Sequence, residues 1–133
     1  MPRLLRSRAF IIVAVLLGVS CGSGSTGPSG SGTLHLTLST PHADDGAVMF
    51  TVRGPGIDSV TFPVAYSGYY RRSAGHDTVT VIVAGHVGTG LVANLTVPAG
   101  ASASGYVALV GQVAQRSTYV QRTLSGYSVA VSQ

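Results

Sequence analysis

The chain of 133 residues has no lysine, no glutamate and no tryptophan, a single cysteine, and charge at only 9% of its positions. Such a low charge density excludes a charged coiled coil and a disordered acidic or polybasic tail. One cysteine excludes an internal disulfide. Without glutamate, paired-carboxylate chemistry on glycosides would have only Asp44, Asp45, Asp58 and Asp77 to draw on, two of them adjacent. No Gly-x-Ser-x-Gly lies between a strand and a helix, so a nucleophile elbow is absent as well. The longest apolar run, Ala9 to Val19, falls short of the roughly 20 residues that a membrane-crossing helix needs.

What is present begins with a basic N-terminus. Arg3, Arg6 and Arg8 precede the apolar run, a small residue (Ser20) follows it, and Cys21 comes next. A positive stretch, a short apolar stretch and a small residue make up a secretory leader. If the leader is removed, its three arginines leave with it and the formal net charge falls from +4 to +1. The basic balance therefore reports targeting, and no nucleic-acid partner is expected.

The segment Leu16-Leu17-Gly18-Val19-Ser20-Cys21 resembles the lipobox of bacterial lipoprotein signal peptides, with Gly18 where the family usually has leucine. The resemblance implies removal of residues 1–20 and acylation of Cys21, including palmitate-type chains. Each buried methylene contributes about 0.8 kcal/mol, so two or more chains hold lastingly where one is marginal. It also implies an exported, envelope-anchored protein. Because Gly22 rather than aspartate follows the cysteine, it points to the outer membrane where the cell has one. An ordinary leader cut nearby, leaving an incidental free thiol, is the alternative.

Residues 22–32 (GSGSTGPSGSG) hold no apolar side chain beyond one proline and read as a flexible tether with a mean reach of about 17–20 Å. Cys21 and this tether thus occupy 21–32, and a folded domain is expected over 33–133. Its period is two. Leu34, Leu36 and Leu38 alternate with His35, Thr37 and Ser39; Val48, Phe50 and Val52 with Met49, Thr51 and Arg53; Val79, Val81 and Val83 with Thr78, Thr80 and Ile82; Leu91, Ala93, Leu95 and Val97 with Val92, Asn94 and Thr96; and Tyr127, Val129 and Val131 share one face. Turn residues cluster around Pro41, Gly54–Gly56, Gly75, Gly85–Gly90, Pro98–Gly100 and Gly126. Gly105–Ala114, apolar on both faces, reads as a central strand covered on both sides. Seven to nine short strands of this kind predict an all-β, antiparallel, Ig-like sandwich, with a small barrel as the rival. The run Gly46–Val52 with Ile57–Val60, the 90–97 strand and the closing 125–132 strand resemble the cohesin-type sandwich. That resemblance implies a module binding or assembling with other envelope proteins, and it assigns no binding residue.

Two sets of side chains invite a functional reading. Tyr66, Tyr69, Tyr70, Arg71 and Arg72 form the densest aromatic and cationic stretch, and Arg116, Tyr119 and Arg122 form a thinner one. Tyrosine and arginine supply rigid area with a polar end, as binding surfaces require. The opposing reading is an edge strand whose tyrosines cover the core. His42, Asp44 and Asp45 in one turn and His76–Asp77 in another would offer metal ligands only if the two turns met; ordinary turn chemistry accounts for each alone. Neither catalysis nor a cofactor is expected. The sequence supports a non-catalytic, lipid-anchored module with a protein partner, or alternatively one that binds a surface polysaccharide.

Overall fold

The structure, a computed structural model, describes residues 30–133. The expected leader, Cys21 as the expected acylation site, and nearly all of the expected tether lie outside the described residues. Eight strands run in order: β1 (Ser31–Ser39), β2 (Asp45–Arg53), β3 (Ser59–Thr61), β4 (Ser67–Arg72), β5 (Thr78–Val87), β6 (Gly90–Pro98), β7 (Val107–Gln115) and β8 (Ser128–Ser132). A single 3-10 turn, Ala103–Gly105, precedes β7. The strands form two four-stranded sheets, ordered β3-β6-β1-β8 and β4-β5-β2-β7, and every pairing is antiparallel. This is the expected β-sandwich. Only the β4–β5 connection stays within one sheet; every other passes to the opposite sheet.

The inner faces follow from alternation. Leu34, Leu36 and Leu38 of β1 meet Val48, Phe50 and Val52 of β2 and Val79, Val81 and Val83 of β5, all fully buried. Valine dominates because its branched Cβ suits a pleated surface. Ile57 and Tyr106 close one end of the core, where the Tyr106 hydroxyl donates to the Pro55 carbonyl at 2.6 Å. Gly54 leaves the space that the Tyr106 ring fills, and a β-carbon there would run into it. The core side chains lie between Leu34 and Val129, and both sheets are complete within Ser31–Ser132, so residues 30–133 hold a folding unit of their own.

Three local departures from strict alternation correct the sequence expectation. In β6, Leu36 of β1 faces Ala93 but Thr37 faces Leu91, so Val92 is the extra residue of a bulge. Val92 enters the core and Leu91 turns outward. In β7, Met49 faces Gln112 while Phe50 faces Val110, which makes Gly111 the extra residue. That bulge lets Val110 and Val113 both point inward across an odd spacing. The segment is thus apolar on both sides without being central: β7 is an edge strand, and Val107 and Leu109 stand exposed. Gly85, expected to break a strand, instead bulges within β5 at φ 142°, and β5 continues to Val87. The first strand also begins at Ser31, inside the stretch read as tether.

Candidate functional site

The two outer faces of the sandwich differ in chemistry. On β3-β6-β1-β8 the outward positions are Thr33, His35 and Thr37, Asn94 and Thr96, Ser128, Ala130 and Ser132. Most are small or polar and all are uncharged, with Leu91, turned outward beside Thr37, the large apolar side chain exposed among them, and His35 Nδ1 bonds Asn94 Oδ1 at 2.7 Å. On β4-β5-β2-β7 the outward rows follow the register. Tyr69, Ile82, Met49 and Gln112 stand side by side across all four strands, and Arg71, Thr80, Thr51 and Leu109 form the next row. A third row runs Ser67, Ala84, Ala47 and Ala114. Tyr69 (64% exposed), Leu109 (61%), Val107 and Ile82 leave large apolar side chains in solvent on this one sheet. A concentration of this kind on one face is the usual mark of an interaction surface.

A turn after β7 roofs the upper part of that face. Gln115 N–H donates to the Val120 carbonyl at 2.9 Å, Tyr119 N–H to Gln115 O at 3.0 Å, and Ala114 bridges to Gln121. Tyr119 sits within the turn at φ 56°, a left-handed conformation that disfavours a bulky residue, and its side chain is 80% exposed. It borders a hollow of about 290 Å³ lined by Ala47, Met49, Ile82, Gln112 and Gln121. It also borders a second hollow, on the far side, with Ala84, His86 and Arg116. A third hollow lies at the opposite corner, among Arg71, Ser73, Thr78 and Thr80.

The turn is held from below by a buried polar cluster. Asp45 has no exposed surface. Its Oδ2 accepts from Thr40 Oγ1 at 2.6 Å and its Oδ1 from the Tyr127 hydroxyl at 2.9 Å. Arg122 Nε approaches the same Oδ1 at 2.9 Å but off its N–H axis, so this contact is an ion pair rather than a full hydrogen bond. Arg122 Nη2 also reaches Asp44 Oδ1, and Gln115 Nε2 donates to Asp44 Oδ2 at 3.0 Å. Burial, reinforced by the neighbouring Asp45 carboxylate, holds the Tyr127 phenol above its ordinary range.

The sequence-predicted residues therefore divide. Tyr69, Arg71, Tyr119 and Arg116 come together along the outer face of β4-β5-β2-β7. Tyr66 and Tyr70 pack against the core, as the edge-strand reading expects. Arg72 pairs with Asp58 at 3.3 Å, and Arg122 with Asp44 and Asp45. Met49, Ile82, Val107 and Leu109 join the site although no chemical motif marks them. Their sign in the sequence is phase: Met49 and Ile82 occupy the positions that alternation reserves for polar residues.

The two His/Asp turns do not meet. His42, Asp44 and Asp45 lie where β2 begins, whereas Asp77 O accepts from Gly54 N just past its end. Among the described residues no histidine ring bonds a serine, a threonine or a carboxylate; His35 is on Asn94 and His86 on the Ala43 carbonyl. Ser73 Oγ donates to Asp77 at 2.7 Å and is the main reason its carboxyl sits below the usual range, with a smaller contribution from Arg53. No family model, curated protein or solved structure matches the chain.

Proposed function

We propose that the chain is a lipid-anchored, extracytoplasmic β-sandwich that serves the cell envelope as a non-catalytic protein-binding module, and that it binds through the outer face of β4-β5-β2-β7. The observation that carries this reading is the contrast between the two outer faces. One is a neutral, mainly Thr/Ser/Asn surface with Leu91 as its single large exposed apolar side chain, and the other combines several exposed aliphatic and tyrosine side chains with arginines. A lone exposed leucine means little; Tyr69, Ile82 and Met49 side by side across three strands, with Leu109 and Val107 on the fourth and an aromatic held in a strained turn beside them, is how a surface is kept ready for a partner. The lipobox resemblance supplies the location, and the tether supplies reach from a membrane surface.

A carbohydrate ligand is the second reading, favoured by two exposed tyrosine rings, Tyr69 and Tyr119, bordering the sheet with Gln112 and Gln121 nearby. The aliphatic centre made by Met49, Ile82 and Leu109 counts against it, because sugars need aromatic planes and many hydrogen-bonding groups.

The test is capture and cross-linking from envelope extract with residues 30–133, comparing wild type, Leu109→Glu and His35→Glu, alongside a broad glycan array. A discrete protein lost with Leu109→Glu and kept with His35→Glu supports the reading. Capture indifferent to Leu109→Glu, or a glycan hit that depends on Tyr69 and Tyr119, overturns it.

A further inference from the structure

The charge arrangement narrows the kind of partner. Four aspartates lie within the described residues, and each already has a local partner. Asp44 and Asp45 share Arg122, Asp58 pairs with Arg72, and Asp77 accepts from Ser73 within the field of Arg53. Among the described residues, Arg53, Arg71 and Arg116 stand in no ion pair; Arg53 lies outward at the Val107 end of the sheet, and Arg71 and Arg116 are the two that flank the hollow. Both border the outer face of β4-β5-β2-β7, and no carboxylate occupies an outward position in the three rows across that face. Arg71 shares its row with Thr80, and Arg116 lies beyond the Ala84 row, beside Tyr119.

Between these two cations the outward positions Thr80, Ile82 and Ala84 of β5 carry an apolar hollow at their centre. From Thr80, in the row of Arg71, to Ala84 the strand covers about 13 Å at some 3.3 Å per residue, the length of about four residues of extended chain, and Arg116 lies beyond that end. The order along this path is cation, aliphatic hollow, cation. We infer that the face binds an acidic polypeptide segment in extended form, with an apolar side chain seated between Met49 and Ile82 and carboxylates reaching Arg71 and Arg116. Extended backbone fits because its side chains point alternately, so one set meets the sheet while the other stays in water. Arginine suits the ends of such a site because its guanidinium matches a carboxylate in two-point geometry. Among anionic macromolecules the aliphatic hollow selects polypeptide over acidic polysaccharide, which has no aliphatic side chain to fill it. This inference rests on the reading of the outer face as a binding surface.

The experiment uses residues 30–133 and synthetic peptides of about eight residues, one alternating glutamate with leucine, one glutamate with serine and one lysine with leucine, with polygalacturonate as the polysaccharide probe. The glutamate–leucine peptide should bind about tenfold more tightly than either other peptide, and added salt should weaken it. The double substitution Arg71→Glu with Arg116→Glu should reverse the preference toward the lysine–leucine peptide, a result that simple loss of folding does not produce. Equal binding of both charged peptides, or an unreversed preference in the double variant, overturns the inference. Arginine-dependent binding of polygalacturonate alone overturns it in favour of polysaccharide. If no probe binds while Leu109→Glu still abolishes capture from envelope extract, the acidic-polypeptide inference falls and the binding-face reading stands.

Discussion

Arg122 brings its Nε to 2.9 Å from Oδ1 of Asp45, a carboxylate with no exposed surface, and so fastens the turn after β7 to the first residue of β2. The backbone supports the same closure, since Arg122 N–H donates to Val113 O at 2.8 Å and Arg116 N–H to Asp44 O at 2.8 Å. Between these two fixed points lies Tyr119, the aromatic that roofs the candidate site. The buried cluster thus positions a surface group that it does not touch.

Removing one side of a buried pair leaves the other charge without compensation, which costs about 3–5 kcal/mol. Asp45→Asn is therefore expected to lower stability by about 3 kcal/mol in urea denaturation, and Arg122→Met by a comparable amount. The double variant should lose less than the sum of the two, because the residues act on each other. Full additivity would show that the pair is energetically idle.

The two sides of the β4-β5-β2-β7 sheet should respond differently to truncation. Phe50→Ala empties a fully buried site and is expected to cost about 3–5 kcal/mol. Leu109→Ala, on the exposed side, should change stability by no more than about 0.5 kcal/mol while weakening partner capture. Chemical denaturation of both variants checks the contrast.

Tyr119 is expected to trade stability for contact. Its left-handed backbone suits asparagine better than tyrosine. Tyr119→Asn should leave stability unchanged or raise it by up to about 1 kcal/mol, and it should reduce binding at the outer face. A clear drop in melting temperature would show that the ring supports the fold instead.

Stability should decline at alkaline pH through two phenols. Burial holds both Tyr106 and Tyr127 above the unfolded tyrosine value of about 10. A raised value favours the neutral form in the fold, so this contribution is complete below about pH 10 and is lost as pH rises from there through the folded value. Ionised Tyr127 would also lose the proton it donates to Asp45. Melting temperatures measured from neutral to strongly alkaline pH should fall less steeply for Tyr127→Phe than for wild type.

Lipid attachment has a direct check. Metabolic labelling with a tagged fatty acid should mark the wild-type chain and leave Cys21→Ser unlabelled. Equal labelling of both would place the lipid elsewhere or remove it from the account.

Much of the architecture was legible before any coordinates. Leu34, Leu36 and Leu38, or Val79, Val81 and Val83, announce strand and inward face together, since a period of two is a local property of the chain. Turn residues at Gly54–Gly56 and Pro98–Gly100 mark ends for the same reason. Bulges were not legible. Gly111 and Val92 shift the phase only because β2 and β1, distant in sequence, pair beside them, and so Gly105–Ala114 reads as a strand covered on both faces.

Local chemistry therefore settled that this chain forms strands, where most of them turn, and which side chains seek the interior. The pairing of the strands and their covering were decided by the assembled sandwich. Every connection but one crosses between sheets, so no neighbour in sequence announces a neighbour in space. By sequence Arg122 belongs to a binding cluster with Arg116 and Tyr119, but the fold lays it against Asp44 and Asp45, and Met49 is an ordinary strand residue until no second layer covers its side of the sheet. Hydrophobicity says that a side chain gains by leaving water, and only the three-dimensional packing decides which ones are left there for something else to cover.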